Sequence, residues 1–283
     1  MTPANDGANT MTAFLFVLTI LLIFAYGGLS WHFIGNWKGV ASLPRNPRFE
    51  HTMLGVLLLL HAYAVMSPLT EGAMISLGVG RALSVVVWMM LVIYWTCSFF
   101  YRVEGLQLFM MPLAMLTLAF ALVFPGEHIM HDLGNPAFAL HVLVSIVAYS
   151  LFAIAALLAV LMLFLEKALH GKRWLALVRQ LPPLLSLEKM MFQVIGLGFM
   201  LLTVSLFTGV VFSEEVFGKA VAISHKTVFS VISWLLFAAL LLGRRFKGWR
   251  GKVAIRWTLA GFGALLLAYI GSKVVLELLL HRA

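Results

Sequence analysis

Only one cysteine, Cys97, occurs in 283 residues. An internal disulfide framework, a CxxC redox pair and a thiolate metal cluster are therefore all excluded. Because it lies inside an apolar block, Cys97 reads as a small packing side chain. Charge is scarce as well. Charged residues make up 11% of the chain, whereas a soluble domain carries roughly 25% to solvate its surface. No Asp or Glu lies deep within an apolar block, although ion-coupled transporters usually place carboxylates there. Pro112 is the only proline well inside such a block, and no internal repeat is visible, so the broken helices of many transporters have no counterpart. HExxH, GxSxG and phosphate-cradling glycine loops are missing too. With no catalytic constellation, the chain is not expected to be an enzyme.

What the sequence does have is apolar mass. Hydrophobic residues account for 62% and fall in blocks of 17 or more separated by short polar stretches. In hydrocarbon every backbone amide must be satisfied by the protein itself, which leaves helices or a closed barrel. Barrel strands would alternate in polarity over about ten residues, and these blocks do not alternate. The expectation is an all-α integral membrane protein, a bundle of about eight transmembrane helices. The spans are placed at Met11–Ile34, Thr52–Pro68, Ala82–Tyr101, Gly105–Phe124, Ala137–Leu165, Met190–Phe212, Ser224–Gly243 and Val253–Leu276, each near the length that crosses a bilayer. Met74–Gly80 is allowed as an earlier, interfacial start to the third span. Only Arg102, Val103 and Glu104 join the third span to the fourth, which demands a tight antiparallel hairpin. Residues 1–10 form a short outer tail and 11–283 a single polytopic domain. The longest loop, Glu166–Lys189, has 24 residues, too few for a soluble domain.

The net charge of +9 is distributed by loop parity. Lys38, Arg45, Arg48, Arg102, Lys167, Lys172, Arg173, Arg179, Lys189, Arg244, Arg245, Lys247, Arg250 and Lys252 occupy odd-numbered loops. Arg81, Lys219, Lys273 and Arg282 occupy the even loops and tails, while Lys226 and Arg256 open spans. The positive-inside rule then puts the odd loops in the cytoplasm and both termini outside. The basic run Arg244–Lys252 reads as a topology determinant that touches anionic lipid, and no nucleic-acid partner is implied. The leader holds Asp6 and no Lys or Arg, so the first block reads as a true span rather than a cleaved signal.

Among so many apolar residues, polar groups at membrane depth carry the information, and nine histidines lead them. His32, His51 and His170 fall at or near cytoplasmic loops and read as solvated or interfacial. His281 reads as a solvated end. His128 and His131 form an outer-loop pair, either a polar loop or a zinc site. His61 follows Thr52 by nine residues, placing it about 14 Å into the membrane. It is either a neutral imidazole hydrogen-bonded to a neighbouring helix or a metal or haem ligand, and position alone leaves both open. His141, about one turn below the outer end of the fifth span, and His225, which opens the seventh, share a level on the outer side. Two imidazoles from facing helices can hold a haem iron axially; two unrelated interfacial histidines would give the same spacing.

Two stretches carry a resemblance. One runs from His141 through Val142, Leu143, Val144, Ser145, Ile146, Val147 and Ala148 to Tyr149. The other runs from His225-Lys226-Thr227 through Ile232-Ser233-Trp234 to Gly248-Trp249-Arg250-Gly251, then Gly261-Phe262 and Tyr269-Ile270-Gly271. Leu181-Pro182-Pro183-Leu184 and Leu187-Glu188-Lys189-Met190 belong to the same pattern. Together they resemble the cytochrome c assembly family, the CcsA/CcmC/HemX group, and within it the short bacterial branch typified by YpjD and HemX. The resemblance implies a multi-pass protein of the bacterial inner membrane that binds haem. It implies His141 as an outer haem ligand, His225 as the histidine characteristic of that branch, and His61 as a transmembrane histidine. Partners would be membrane lipid and other cytochrome c maturation or haem-biosynthesis proteins. Haem-exporting members carry a tryptophan-rich outer segment ending in Asp-Pro-Lys-Glu. Here the corresponding loop, Ser213–Lys219, has no tryptophan, and only Lys226 remains of that ending. The implication is haem binding in the bundle rather than presentation to an acceptor. A HemX-like regulator or scaffold of haem biosynthesis and a permease for another small molecule are the competing classes.

Overall fold

The structure, a computed structural model, describes residues 4–39, 44–70, 75–76, 78–101, 105–124, 129–130, 136–170, 181–217 and 225–268. Eight helices are described: α1 (Ala4–Lys38), α2 (Pro47–Thr70), α3 (Val79–Cys97), α4 (Gln107–Val123), α5 (Pro136–His170), α6 (Leu184–Phe217), α7 (His225–Lys247) and α8 (Gly251–Leu266). Each matches one expected span. Six are long and apolar enough to cross a membrane by length and composition; α4, with 17 residues, and the described part of α8, with 16, are shorter. Residues 269–276 of the expected eighth span lie outside the described residues.

Several boundaries differ from the sequence expectation, and two of them change what the helices carry. Ile75–Ser76 is not an interfacial helical start but a short strand, β1, paired antiparallel with β2 (Ile129–Met130). Helix α3 begins only at Val79, after Gly78 in extended conformation. At the other boundary, α6 starts at Leu184 rather than Met190, because Pro182 and Pro183 pre-set the first turn. That change draws Glu188 into the helix.

The helices fall into two compact units, one of Met1–Val103 with Gln107–His131, the other of Glu104–Leu106 with Asp132–Ala283. In the first, α4 packs on α1 and α3 around Leu22, Tyr26, Met90, Leu91, Met110 and Met111, all essentially inaccessible. Helices α3 and α4 form the antiparallel hairpin their short connection demands. At one end Tyr94 donates its hydroxyl to Gln107 Oε1 at 2.9 Å; at the other, Gly80 lies so close to α4 that an added Cβ would stand 2.7 Å from Ala121 Cα and from the Phe124 carbonyl.

In the second unit α5 lies along α6, and α8 packs on α5 and α7. Phe152 and Phe237 stack at 3.9 Å. Helix α8 comes close enough for Ser233 to donate to the Gly261 carbonyl at 2.9 Å. The turn from α7 to α8 uses two glycines in the left-handed region, Gly248 (φ 64) and Gly251 (φ 55), where a Cβ would be strained. Outward faces of both units carry large apolar side chains such as Phe24, Leu59 and Phe207, each more than 70% exposed. Exposure on that scale suits hydrocarbon as solvent, not water.

Candidate functional site

The three histidines singled out by the sequence have unlike surroundings. His61, on α2 in the first unit, is fully buried. Its Nδ1 is 3.2 Å from the Tyr26 hydroxyl on α1, and its Nε2 is 2.9 Å from Ser84 Oγ on α3. Tyr26 also meets the imidazole edge-on. Both ring nitrogens are thus engaged by protein hydroxyls, the hydrogen-bonded arrangement that position alone had left open beside ligation. Metal ligation here would require one of those bonds to be given up. Ser84 also borders a cavity of about 270 Å³ whose lining includes Arg81, Thr12 and Thr19.

His141 sits in the second turn of α5, half-buried. Its Nδ1 is 2.7 Å from Thr208 Oγ1 on α6, and Phe138 lies nearly parallel to its ring at 6.3 Å. One turn deeper, Ser145 meets Ser205 at 2.6 Å between hydroxyl oxygens. Another turn on, the Tyr149 hydroxyl donates to the Leu265 carbonyl at 2.7 Å. His141, Ser145 and Tyr149 are spaced by four, so they share one face of α5. This is the polar stripe that pins α5 to α6 and α8.

His225 is the first residue of α7 and is exposed. Lys226, beside it, lies within Coulombic reach of His141. The start of α7 and the first turns of α5 therefore stand in one neighbourhood, with His61 in the other unit. His128, His131 and His281 lie outside the described residues, as do positions 218–224. His170 closes α5. His32 is not simply solvated but lies 3.1 Å from Glu50 Oε1, and His51 packs against Phe99 and Trp95. Among the described residues, no group of three or more His, Cys, Asp and Glu gathers to hold a metal ion.

Two carboxylates organise the opposite helix ends, and sequence reasoning passed over both. Glu50 accepts from Arg45 at 3.2 Å as well as facing His32. Glu188 accepts from Arg244 at 2.6 Å, Arg250 at 3.1 Å and the Gly251 amide at 3.0 Å. The basic run Arg244–Lys252 thus ties helices together, because two of its arginines bind Glu188 on α6. A buried acid at the fifth position of a helix, with a distant basic run to neutralise it, was the available signal; placing Glu188 in a loop hid it.

Residues 49–280 match the family described as cytochrome c assembly protein, so α1, which ends at Lys38, lies wholly before the matched region. Inner membrane protein YpjD of Escherichia coli K12 is 34% identical over 166 residues, which is 59% of this chain and 62% of that protein. Cytochrome c biogenesis protein CcsA of Chlamydomonas reinhardtii is 30% identical over 140 residues, 49% of this chain and 38% of that one. CcsA of Synechococcus elongatus is 36% identical over 90 residues, 32% of this chain and 28% of that one. The chain thus spans less than two thirds of the length of each of these relatives.

Proposed function

The chain belongs to the cytochrome c assembly protein family, and we propose on that premise that it handles haem, with His141 and His225 as the imidazoles that take the iron. It is a multi-pass protein of the bacterial inner membrane. The observation that carries the reading is the placement of His141. It is a half-buried imidazole anchored through Nδ1 to a neighbouring helix, beside the start of α7, where His225 stands. Ligating histidines are ordinarily fixed through their second nitrogen in this way.

Haem is cargo here, and it brings an iron that accepts axial imidazoles within apolar surroundings. The protein's own contribution is to hold His141 at a set angle, to offer the Phe138 ring beside it, and to exclude water with the apolar faces of α5 and α6. The basic odd loops orient the chain with both termini and this histidine pair on the outer side. CcsA relatives are named as cytochrome c biogenesis proteins, and we assign this chain a place beside such proteins as a binder of haem rather than an enzyme. His61, with both nitrogens hydrogen-bonded, is given a structural part.

The test is a haem titration of the purified full-length protein in mild detergent, followed in the visible region. A low-spin spectrum that His141→Ala abolishes and His225→Ala alters is expected. A wild-type protein that gives no such spectrum, or a double variant that retains it, refutes the assignment.

A further inference from the structure

We propose that Thr208 is a positioning residue that fixes the tautomer of His141, directing the Nε2 lone pair to the ligand side over the gap left by Gly209. The inference rests on the reading of His141 as a haem ligand, and it concerns what makes that imidazole competent.

A neutral imidazole has one N–H and one lone pair, and the partner of one nitrogen decides which the other carries. Thr208 supplies that partner. Its hydroxyl has a single proton, and Oγ1 lies 2.9 Å from the Val204 carbonyl and 3.2 Å from the Ser205 carbonyl. Carbonyl oxygens only accept, so these two contacts hold as hydrogen bonds when the hydroxyl proton points at the α6 backbone. In that arrangement Oγ1 faces His141 Nδ1 at 2.7 Å with a lone pair, and Nδ1 is the nitrogen that bears hydrogen. The lone pair falls on Nε2, the nitrogen able to bind a metal.

The next residue on α6 provides clearance. A Cβ built on Gly209 would stand 3.4 Å from His141 Cε1 and 4.0 Å from Nε2. A methyl there makes ordinary contact, but any longer side chain grows along the Cε1–Nε2 edge. The alignment is held from below, where Ser145 donates to the His141 carbonyl at 2.7 Å and its oxygen meets Ser205 at 2.6 Å. Ser145 follows His141 by four residues and Ser205 precedes Thr208 by three. The two pairs therefore bridge the same faces of α5 and α6 one turn apart, and together they fix the register that brings Nδ1 to Thr208.

Two measurements on the full-length protein in detergent test this. The first is nitrogen-15 NMR of histidine-labelled protein without haem, with the His141 signals identified by their loss in His141→Gln. Wild type is expected to show Nδ1–H; Thr208→Val, which keeps the shape and removes the hydroxyl, is expected to move His141 toward Nε2–H; Thr208→Ser is expected to restore Nδ1–H. The second is haem affinity. Thr208→Val is expected to weaken it by about 10–100-fold, the usual effect of losing a partner of a ligating histidine, with recovery in Thr208→Ser. Gly209→Leu is expected to lose haem while keeping Nδ1–H, which separates crowding from tautomer and reports that the fold is intact. Nε2–H in the wild-type protein overturns the inference. So does a Thr208→Val protein equal to wild type in both measurements while binding still depends on His141. Haem binding that ignores His141→Ala instead overturns the ligand reading and leaves the NMR arm to judge Thr208 by itself.

Discussion

Replacing Glu188 with alanine should loosen three helices at once, by an amount the structure allows to be apportioned. The carboxylate stands on α6, Arg244 at the end of α7 and Gly251 at the start of α8. Its side chain is 8% exposed and that of Arg244 32%, whereas Arg250 is 56% exposed. The Arg250 pair is mostly solvent-screened and contributes about 0.5 kcal/mol or less. The 2.6 Å bond from Arg244 and the amide bond from Gly251 end on a buried charge, and such bonds contribute about 1.5 kcal/mol each. Glu188→Ala should therefore cost about 3 kcal/mol, near the lower end for breaking a buried pair. Glu188→Gln keeps one acceptor oxygen without the charge and should cost roughly half of that. For a unit of this size each kcal/mol moves the midpoint by about 2–4 °C, so Glu188→Ala should melt about 6–12 °C lower. Thermal unfolding of the purified protein in detergent, with Arg250→Ala for comparison, gives the ordering. If Glu188→Ala falls no further than Arg250→Ala, the carboxylate is not the clamp described here.

Gly80→Ala places a methyl against the Ala121 and Phe124 backbone, which cannot move aside, so it should cost about 1–3 kcal/mol; Gly28→Ala, with open space around it, should leave the melting midpoint of the same assay nearly unchanged. His61→Ala removes the partner of both Tyr26 and Ser84 and opens a cavity, so it should destabilise by about 2–4 kcal/mol while the haem spectrum persists. A lost spectrum with unchanged stability would make His61 a ligand instead. Alkaline phosphatase fused after Ala283 should be active and fused after Lys247 inactive, because the basic loops stay in the cytoplasm; the reverse pattern would invert the topology.

Helix number and placement were legible because apolar block length is nearly a direct readout of a membrane span. Each of the eight expected blocks coincides with a helix, and the α3–α4 hairpin follows from a connection too short for anything else. Boundaries were less legible. Glu188 and Lys189 looked like loop because they are charged, yet a carboxylate can enter a helix when arginines from elsewhere reach it. The histidines were partly legible. Counting gave them an expected side and depth but not their partners, since Thr208 lies 67 residues from His141 and Tyr26 lies 35 from His61. No local pattern links residues so far apart.

The sequence by itself determined that this chain lives in a membrane, as helices, because hydrocarbon penalises unsatisfied backbone and misplaced charge residue by residue. Only the tertiary structure decided what each of the histidines touches. It enclosed His61 between two hydroxyls, set His141 on Thr208 beside the start of α7, and turned a run of arginines into a clamp on Glu188. Those assignments depend on which helix faces pack together, and that is a property of side chains meeting across the bundle.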